Sequence, residues 1–139
     1  MEPAKPYLQF TVAFDEADQE GIVFFGNYFR LAHRALEHWL PLQGVPWKEW
    51  FQHPDYGVPL RHVEADYLAP LRPGDTFEAT VRVVEIKDSS IRFEYEFRHQ
   101  GRVGARLTTV HVFVARSSRQ KIAVPGVIRE KLKAIPAEP

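Results

Sequence analysis

Residues 27–40 read Asn27-Tyr-Phe-Arg-Leu-Ala-His-Arg-Ala-Leu-Glu-His-Trp-Leu40. Tyr28, Phe29, Leu31, Ala32, Ala35, Leu36, Trp39 and Leu40 recur at three- and four-residue steps, and Arg30, His33, Arg34, Glu37 and His38 take the other side. That spacing predicts one amphipathic helix of about four turns. Gly26 or Asn27 opens it as a cap, and Pro41 and Gly44 stop it. It is the most apolar element of the chain and has to be covered.

On either side the period changes to two. Leu8, Phe10, Val12 and Phe14 alternate with Gln9, Thr11 and Ala13, which predicts a first strand from Tyr7 to Phe14. After the helix, Pro46-Trp-Lys-Glu-Trp-Phe51 reads as a short second helix with Pro46 at its first position. Four strands follow, over Val58 to Leu68, Thr76 to Val83, Ile91 to Arg98 and Val103 to Ala115. Turns at Arg72-Pro-Gly-Asp75, Lys87-Asp-Ser-Ser90 and His99-Gln-Gly-Arg102 separate the last three from what precedes them. Phe77, Ala79, Val81 and Val83 form one inner face, and Val127 to Ile135 reads as a terminal helix. A helix of about 14 residues is ~21 Å long, short enough for one twisted sheet to curl around it. The order therefore predicts an α+β fold with the helix held by a five-stranded antiparallel sheet. The long final strands carry no charge or proline guard along their middle, so a second copy is expected to cover an open edge.

The 139 residues fit one domain, 1–139, and 45% hydrophobic residues suffice for a core. Eighteen basic and eighteen acidic residues cancel, which argues against nucleic-acid or anionic-membrane partners. The absence of cysteine excludes disulfides, thiolate metal sites and a cysteine nucleophile. The six histidines, at positions 33, 38, 53, 62, 99 and 111, show no His-x-His spacing, so no metal site is expected. Met1-Glu-Pro-Ala-Lys-Pro lacks a signal-peptide apolar run, and no stretch approaches the ~20 apolar residues of a membrane span. A cytoplasmic protein is expected.

The segment Asp18-Gln-Glu-Gly21-Ile-Val-Phe-Phe25-Gly-Asn27-Tyr28 places a carboxylate just before the helix. The first N–H groups of a helix have no intrahelical acceptor and carry partial positive charge, so they can polarise a carbonyl while a carboxylate attacks it or activates water. The spacing also fits a plainer reading, in which Asp15, Glu16, Asp18 and Glu20 cap the helix and keep a loop solvated.

This segment resembles the signature of the hot-dog-fold acyl-CoA thioesterases of the 4-hydroxybenzoyl-CoA thioesterase family, Asp-x-Asp-x-x-Gly-x-Val-aromatic-aromatic-x-Asn-Tyr. Asp18, Gly21, Val23, Phe24, Phe25, Asn27 and Tyr28 match it. The likeness continues through Ala32 to Leu40 and through Val58 to Asp75. Among family members, His33, Glu37 and Pro59-Leu60 are most similar to the 1,4-dihydroxy-2-naphthoyl-CoA hydrolases of quinone biosynthesis. The resemblance implies a hot-dog fold, a five-stranded antiparallel sheet wrapped around a long central helix. It implies hydrolysis of an acyl-CoA, with aromatic groups such as hydroxybenzoyl or dihydroxynaphthoyl as candidates, and no cofactor. It also implies a homodimer or homotetramer, a dimer of dimers, with sites between subunits.

Carried over, the catalytic carboxylate falls on Asp18, acting as nucleophile or general base. The main-chain donor falls on Phe25, with Gly26 as its neighbour; Gly21 permits the turn, and Gly21 and Asn27 border the substrate. Two departures stand out: Glu16 replaces the first aspartate, and Phe25 lacks the hydroxyl of the usual tyrosine. His33 and Glu37, one helical turn apart, either pair with each other or orient water and substrate. Lys87, Ser89 and Ser90 lie where relatives gather groups for the nucleotide end of coenzyme A, and Arg116, Arg119 and Lys121 form a second basic group; each is also an ordinary solvated turn. Trp47, Trp50 and Phe51 line an acyl pocket or cap the core. Relatives that hydrate a thioester on the same fold place a histidine in the acidic loop region, and residues 15–21 have none. A non-catalytic module that binds an acyl thioester or a protein partner remains the alternative.

Overall fold

The structure, a computed structural model, describes residues 7–133. In chain order it forms β1 (Tyr7–Thr11), a 3-10 turn (Phe14–Glu16), α1 (Phe25–Leu42), α2 (Trp47–Trp50), β2 (Tyr56–Gly57) and β3 (Leu60–Tyr67). It continues with β4 (Thr76–Ile86), β5 (Ser90–His99), β6 (Arg102–Val112), β7 (Val114–Ala115) and α3 (Gly126–Lys131). The five long strands make one sheet in the order β1-β4-β5-β6-β3. The five-stranded antiparallel sheet and the single long helix are those expected. The predicted end of the terminal helix at Ile135 lies outside the described residues. No helix among the described residues is long and apolar enough to cross a membrane.

Three expectations change. The first strand stops at Thr11, where its partner β4 begins, since Thr11 faces Thr76 in the register. Beyond it the Glu16 carboxylate accepts the Ala13 N–H at 2.8 Å and turns the chain, which leaves Phe14 89% exposed instead of on an inner face. The long helix starts at Phe25, so Gly26 and Asn27 lie inside its first turn, and it carries Pro41 in its last. Pro41 has no N–H for a helical bond, and the helix ends one residue after it. Gly44, at φ +87°, donates to the Pro41 carbonyl at 3.0 Å, and Val45 donates to the Leu40 carbonyl at 3.1 Å. The open edges are β1 and β3, whereas β6 is an interior strand. Of the two, β3 is exposed at every position but Ala65. A small sheet pairing β2 with β7 was not foreseen, because two-residue strands leave no periodic trace.

Contacts group the described residues into two compact units, one of 7–39, Ala65–Val81 and Tyr95–Leu107, the other of Leu40–Glu64, Arg82–Glu94 and 108–133. In the first, the predicted apolar face of α1 is buried at Tyr28, Leu31, Ala32, Ala35 and Leu36. Tyr28 stacks on Phe97 at 6.0 Å, and Phe97 meets Phe77 at 4.9 Å. In the second, Trp50 packs edge-on against Phe93 and Phe113, at 5.6 and 5.3 Å. Trp50 therefore belongs to the core, while Trp47 and Phe51 stack on each other at 5.3 Å. Each such aromatic burial contributes about 2–3 kcal/mol.

Candidate active site

The acidic loop is a tight hairpin. Ala17 bridges Val23, the Asp18 N–H donates to the Ile22 carbonyl at 2.8 Å, and the Gly21 N–H returns to the Asp18 carbonyl at 3.0 Å. The turn needs φ +78° at residue 21, a conformation that glycine adopts without the Cβ clash other residues meet there. Within it, Asp18 is half-buried, and its Oδ1 accepts the Glu20 N–H at 2.8 Å.

Glu16 ties this loop to the helix. Its side chain is buried and its Oε2 accepts from Arg30 Nη2 at 2.6 Å. Its carbonyl accepts the Phe24 N–H at 3.0 Å and the Asn27 side-chain amide at 2.9 Å. The Asn27 N–H goes to the Phe24 carbonyl at 2.9 Å. For the Phe25 and Gly26 N–H groups the acceptors four residues back would be Gly21 and Ile22, which lie in the hairpin and outside the helix. These two are the first-turn donors available to a ligand, on the residues where the motif puts them.

A cleft of about 390 Å³ opens at this point, lined by Asp18, Ile22, Phe25, Tyr28, Tyr67 and Pro70 among others. The carboxylate and the start of the helix thus share one concavity with aromatic walls. Tyr67 donates its hydroxyl to the Phe25 carbonyl at 3.2 Å, and its ring meets that of Tyr28 edge-on at 4.9 Å. Burial raises the pKa of Tyr28, against a backbone hydrogen bond from Leu71 that lowers it, and burial raises that of Tyr67 too. Both phenols are protonated at neutral pH.

Of the other expected residues, Gly26 follows Phe25 in the first turn; a Cβ on it would sit 3.0 Å from the Phe24 ring. Gly21 is at the hairpin tip, and Asn27 is committed to Glu16; neither lines the cleft. His33 is exposed and Glu37 half-buried on the polar side of α1, and neither lines it either. In the second unit, Lys87 and Ser90 line a polar cleft of about 290 Å³ with Arg61, His62, Glu85 and Arg92. There Arg92 lies 3.5 Å from Glu64 and 3.9 Å from Glu85. Ser89 turns its hydroxyl to Asp88 at 3.3 Å. Arg119, at φ +64°, lines a different cleft of about 570 Å³ with Arg116, which donates to the His53 carbonyl at 2.6 Å. Lys121 is exposed and bridges Val114. The two basic groups are therefore separate. Sequence reasoning missed Tyr67 and the Glu16–Arg30 pair: Tyr67 lies in the least regular strand, 42 residues from its acceptor, and no periodicity links them.

A five-stranded antiparallel sheet, one long helix, and a carboxylate sharing a cleft with that helix's first turn define the class, a hot-dog thioester hydrolase. The sequence pattern of the thioesterase-like superfamily matches residues 12–132, and the chain belongs to that family. A 1,4-dihydroxy-2-naphthoyl-CoA hydrolase from Thermosynechococcus vestitus is 30% identical over 139 residues, covering 98% of this chain and 93% of the relative. One of the same name from Gloeothece citriformis is 29% identical over 128 residues, covering 90% of each. The solved structure of a gentisyl-coenzyme A thioesterase superposes with a TM-score of 0.82 at 28% identity, covering 91% of this chain and 99% of that one. Family membership favours a hydrolase over the binding-module alternative.

Proposed function

We propose that this protein, one hot-dog domain, hydrolyses acyl-CoA thioesters of aromatic acids, with Asp18 acting on a carbonyl held at the Phe25 and Gly26 N–H groups. The observation that carries this reading is the shared cleft of Asp18 and the first residue of α1. A thiolate leaves readily, so little general-acid help is required. In one form of the reaction a carboxylate oxygen of Asp18 bonds to the thioester carbon, the C–S bond breaks, and water then opens the mixed anhydride. In the other, Asp18 takes a proton from the water that attacks. In both, the carbonyl oxygen becomes an oxyanion beside the helix start, where backbone dipoles stabilise it. The aromatic walls at Phe25, Tyr28 and Tyr67 suit a planar acyl group, as do relatives named for dihydroxynaphthoyl- and gentisyl-CoA.

The coenzyme phosphates fit the Lys87 and Ser90 cleft. Glu64 and Glu85 engage Arg92, which leaves Lys87 and Arg61 to carry the positive charge. Ser89 borders this group; Arg119 and Lys121 provide the second basic surface. The working form is a homo-oligomer in which β3, an exposed edge, pairs with β3 of another copy. His33 and Glu37, absent from the cleft of their own chain, support catalysis at a site between copies, in keeping with that assembly.

The test is thiol release from a panel of benzoyl-, phenylacetyl-, dihydroxynaphthoyl- and straight-chain acyl-CoAs. Turnover with aromatic thioesters preferred supports the reading. Binding without release overturns it.

A further inference from the structure

We infer that Tyr67 selects hydroxylated aromatic acyl groups, its hydroxyl oxygen accepting a hydrogen bond from a ring hydroxyl that lies beside the thioester carbonyl. This role rests on the reading of the cleft as an acyl-CoA site. A phenol has one proton to give and lone pairs to offer. In Tyr67 the proton goes to the Phe25 carbonyl, at 3.2 Å. Only lone pairs are then presented to a ligand, and a ligand atom that meets them has to be a donor. The Phe25 carbonyl and the Gly26 N–H point to opposite sides of one trans peptide, so the thioester oxygen at the N–H and the Tyr67 hydroxyl do not compete for one place. Tyr67 lines the same cleft as Asp18 and Phe25, and an acyl ring extending from the held carbonyl along that wall turns the hydroxyl next to its thioester toward Tyr67.

The ring of Tyr67 is held for this task. It sits edge-on to Tyr28 at 4.9 Å, and Tyr28 is itself 3% exposed and stacked on Phe97. Tyr67 nevertheless remains 46% exposed on the cleft side of an edge strand, open to a ligand. The raised pKa from burial keeps the hydroxyl protonated and its donor bond to Phe25 in place. An acyl ring without a hydroxyl leaves the Tyr67 lone pairs desolvated and unmatched, which is how a hydrogen-bonding site discriminates against the plainer analogue.

The experiment compares 2-hydroxybenzoyl-CoA with benzoyl-CoA in the wild type and in Tyr67→Phe, reading kcat/KM by thiol release. The wild type is expected to prefer the hydroxylated thioester by about 10-fold. Tyr67→Phe is expected to bring that ratio close to one by losing more turnover on the hydroxylated thioester than on benzoyl-CoA, and its melting temperature reports whether the fold is intact. A ratio unchanged by the substitution overturns the role, and so does an equal loss on both thioesters, which would mark Tyr67 as a support for the helix alone. A wild type that releases no thiol from either compound overturns the acyl-CoA reading itself, a different failure from the other two.

Discussion

Arg30 Nη2 lies 2.6 Å from Glu16 Oε2, an ion pair whose acid is buried and whose base is half-exposed. The pair joins the acidic loop to the second turn of α1, and the Glu16 carbonyl adds the Asn27 amide bond to the same junction. Asp18 follows two residues later, so the orientation of the hairpin is inherited from Glu16. Glutamate at this position, where the family pattern has aspartate, is one methylene longer and reaches back to the Ala13 N–H as well as to Arg30.

Arg30→Leu leaves a buried carboxylate with one neutral donor. Because Arg30 is half-exposed, the loss is discounted to about 1–2 kcal/mol, a fall in Tm of several degrees by calorimetry. Glu16→Gln together with Arg30→Leu should recover part of that loss. If Arg30→Leu alone melts at the wild-type temperature, the junction contributes nothing.

Gly21→Val forces a β-branched side chain into a left-handed turn, at about 1–2 kcal/mol. Space is not the obstacle, since nothing lies within 4 Å of the added Cβ. The hairpin relaxes and Asp18 shifts, so kcat is expected to fall about 10- to 100-fold while most of the protein stays folded at assay temperature. Wild-type kcat in this variant would show that the turn does not set the carboxylate.

Glu96 supplies a pH signature in the sheet. Burial pushes its pKa up, but hydrogen bonds from Arg106 and Arg98, both 2.9 Å, outweigh burial and hold it below the usual 4.5. A carboxyl whose folded pKa is depressed contributes stability that is complete above its unfolded pKa and lost as pH falls through the folded one. Stability should therefore decline below about pH 4.5, and urea midpoints of Glu96→Gln should decline less over that interval than those of wild type. Parallel declines would mean that the two arginines do not govern its titration.

Val63→Lys places a lysine from each copy in the middle of the proposed β3 pairing, on an exposed strand position where like charges repel. Light scattering across a dilution series should show the oligomer dissociating at roughly tenfold higher protein concentration than wild type. A wild-type protein that is monomeric throughout, or a variant that assembles equally well, removes β3 as the interface.

Much of this architecture was legible from residue order alone. The face of α1 was readable because Leu31, Ala32, Ala35 and Leu36 keep the helical period without interruption, and the inner face of β4 because Phe77, Ala79, Val81 and Val83 keep a period of two. Periodicity does not carry strand order, which is why an open edge was expected on the long final strands, whereas the edges are β1 and β3. It likewise continued the first strand to Phe14, since alternation cannot tell where the partner strand ends. Asp18 and Phe25 were identified by motif spacing and do share a cleft. Tyr67 was invisible because its bond to Phe25 joins distant parts of the chain, and Glu16 because a buried acid looks like any other acid in an acidic loop.

The central claim is that the Asp18 carboxylate acts on a thioester carbonyl at the head of α1. Steady-state thiol release by Asp18→Asn, on the aromatic acyl-CoA that the wild type turns over fastest, tests it most directly. The side chain keeps its size and its acceptor for the Glu20 N–H, so melting should be unchanged while kcat falls by at least about 100-fold. An Asp18→Asn protein that releases thiol at the wild-type rate would contradict the account.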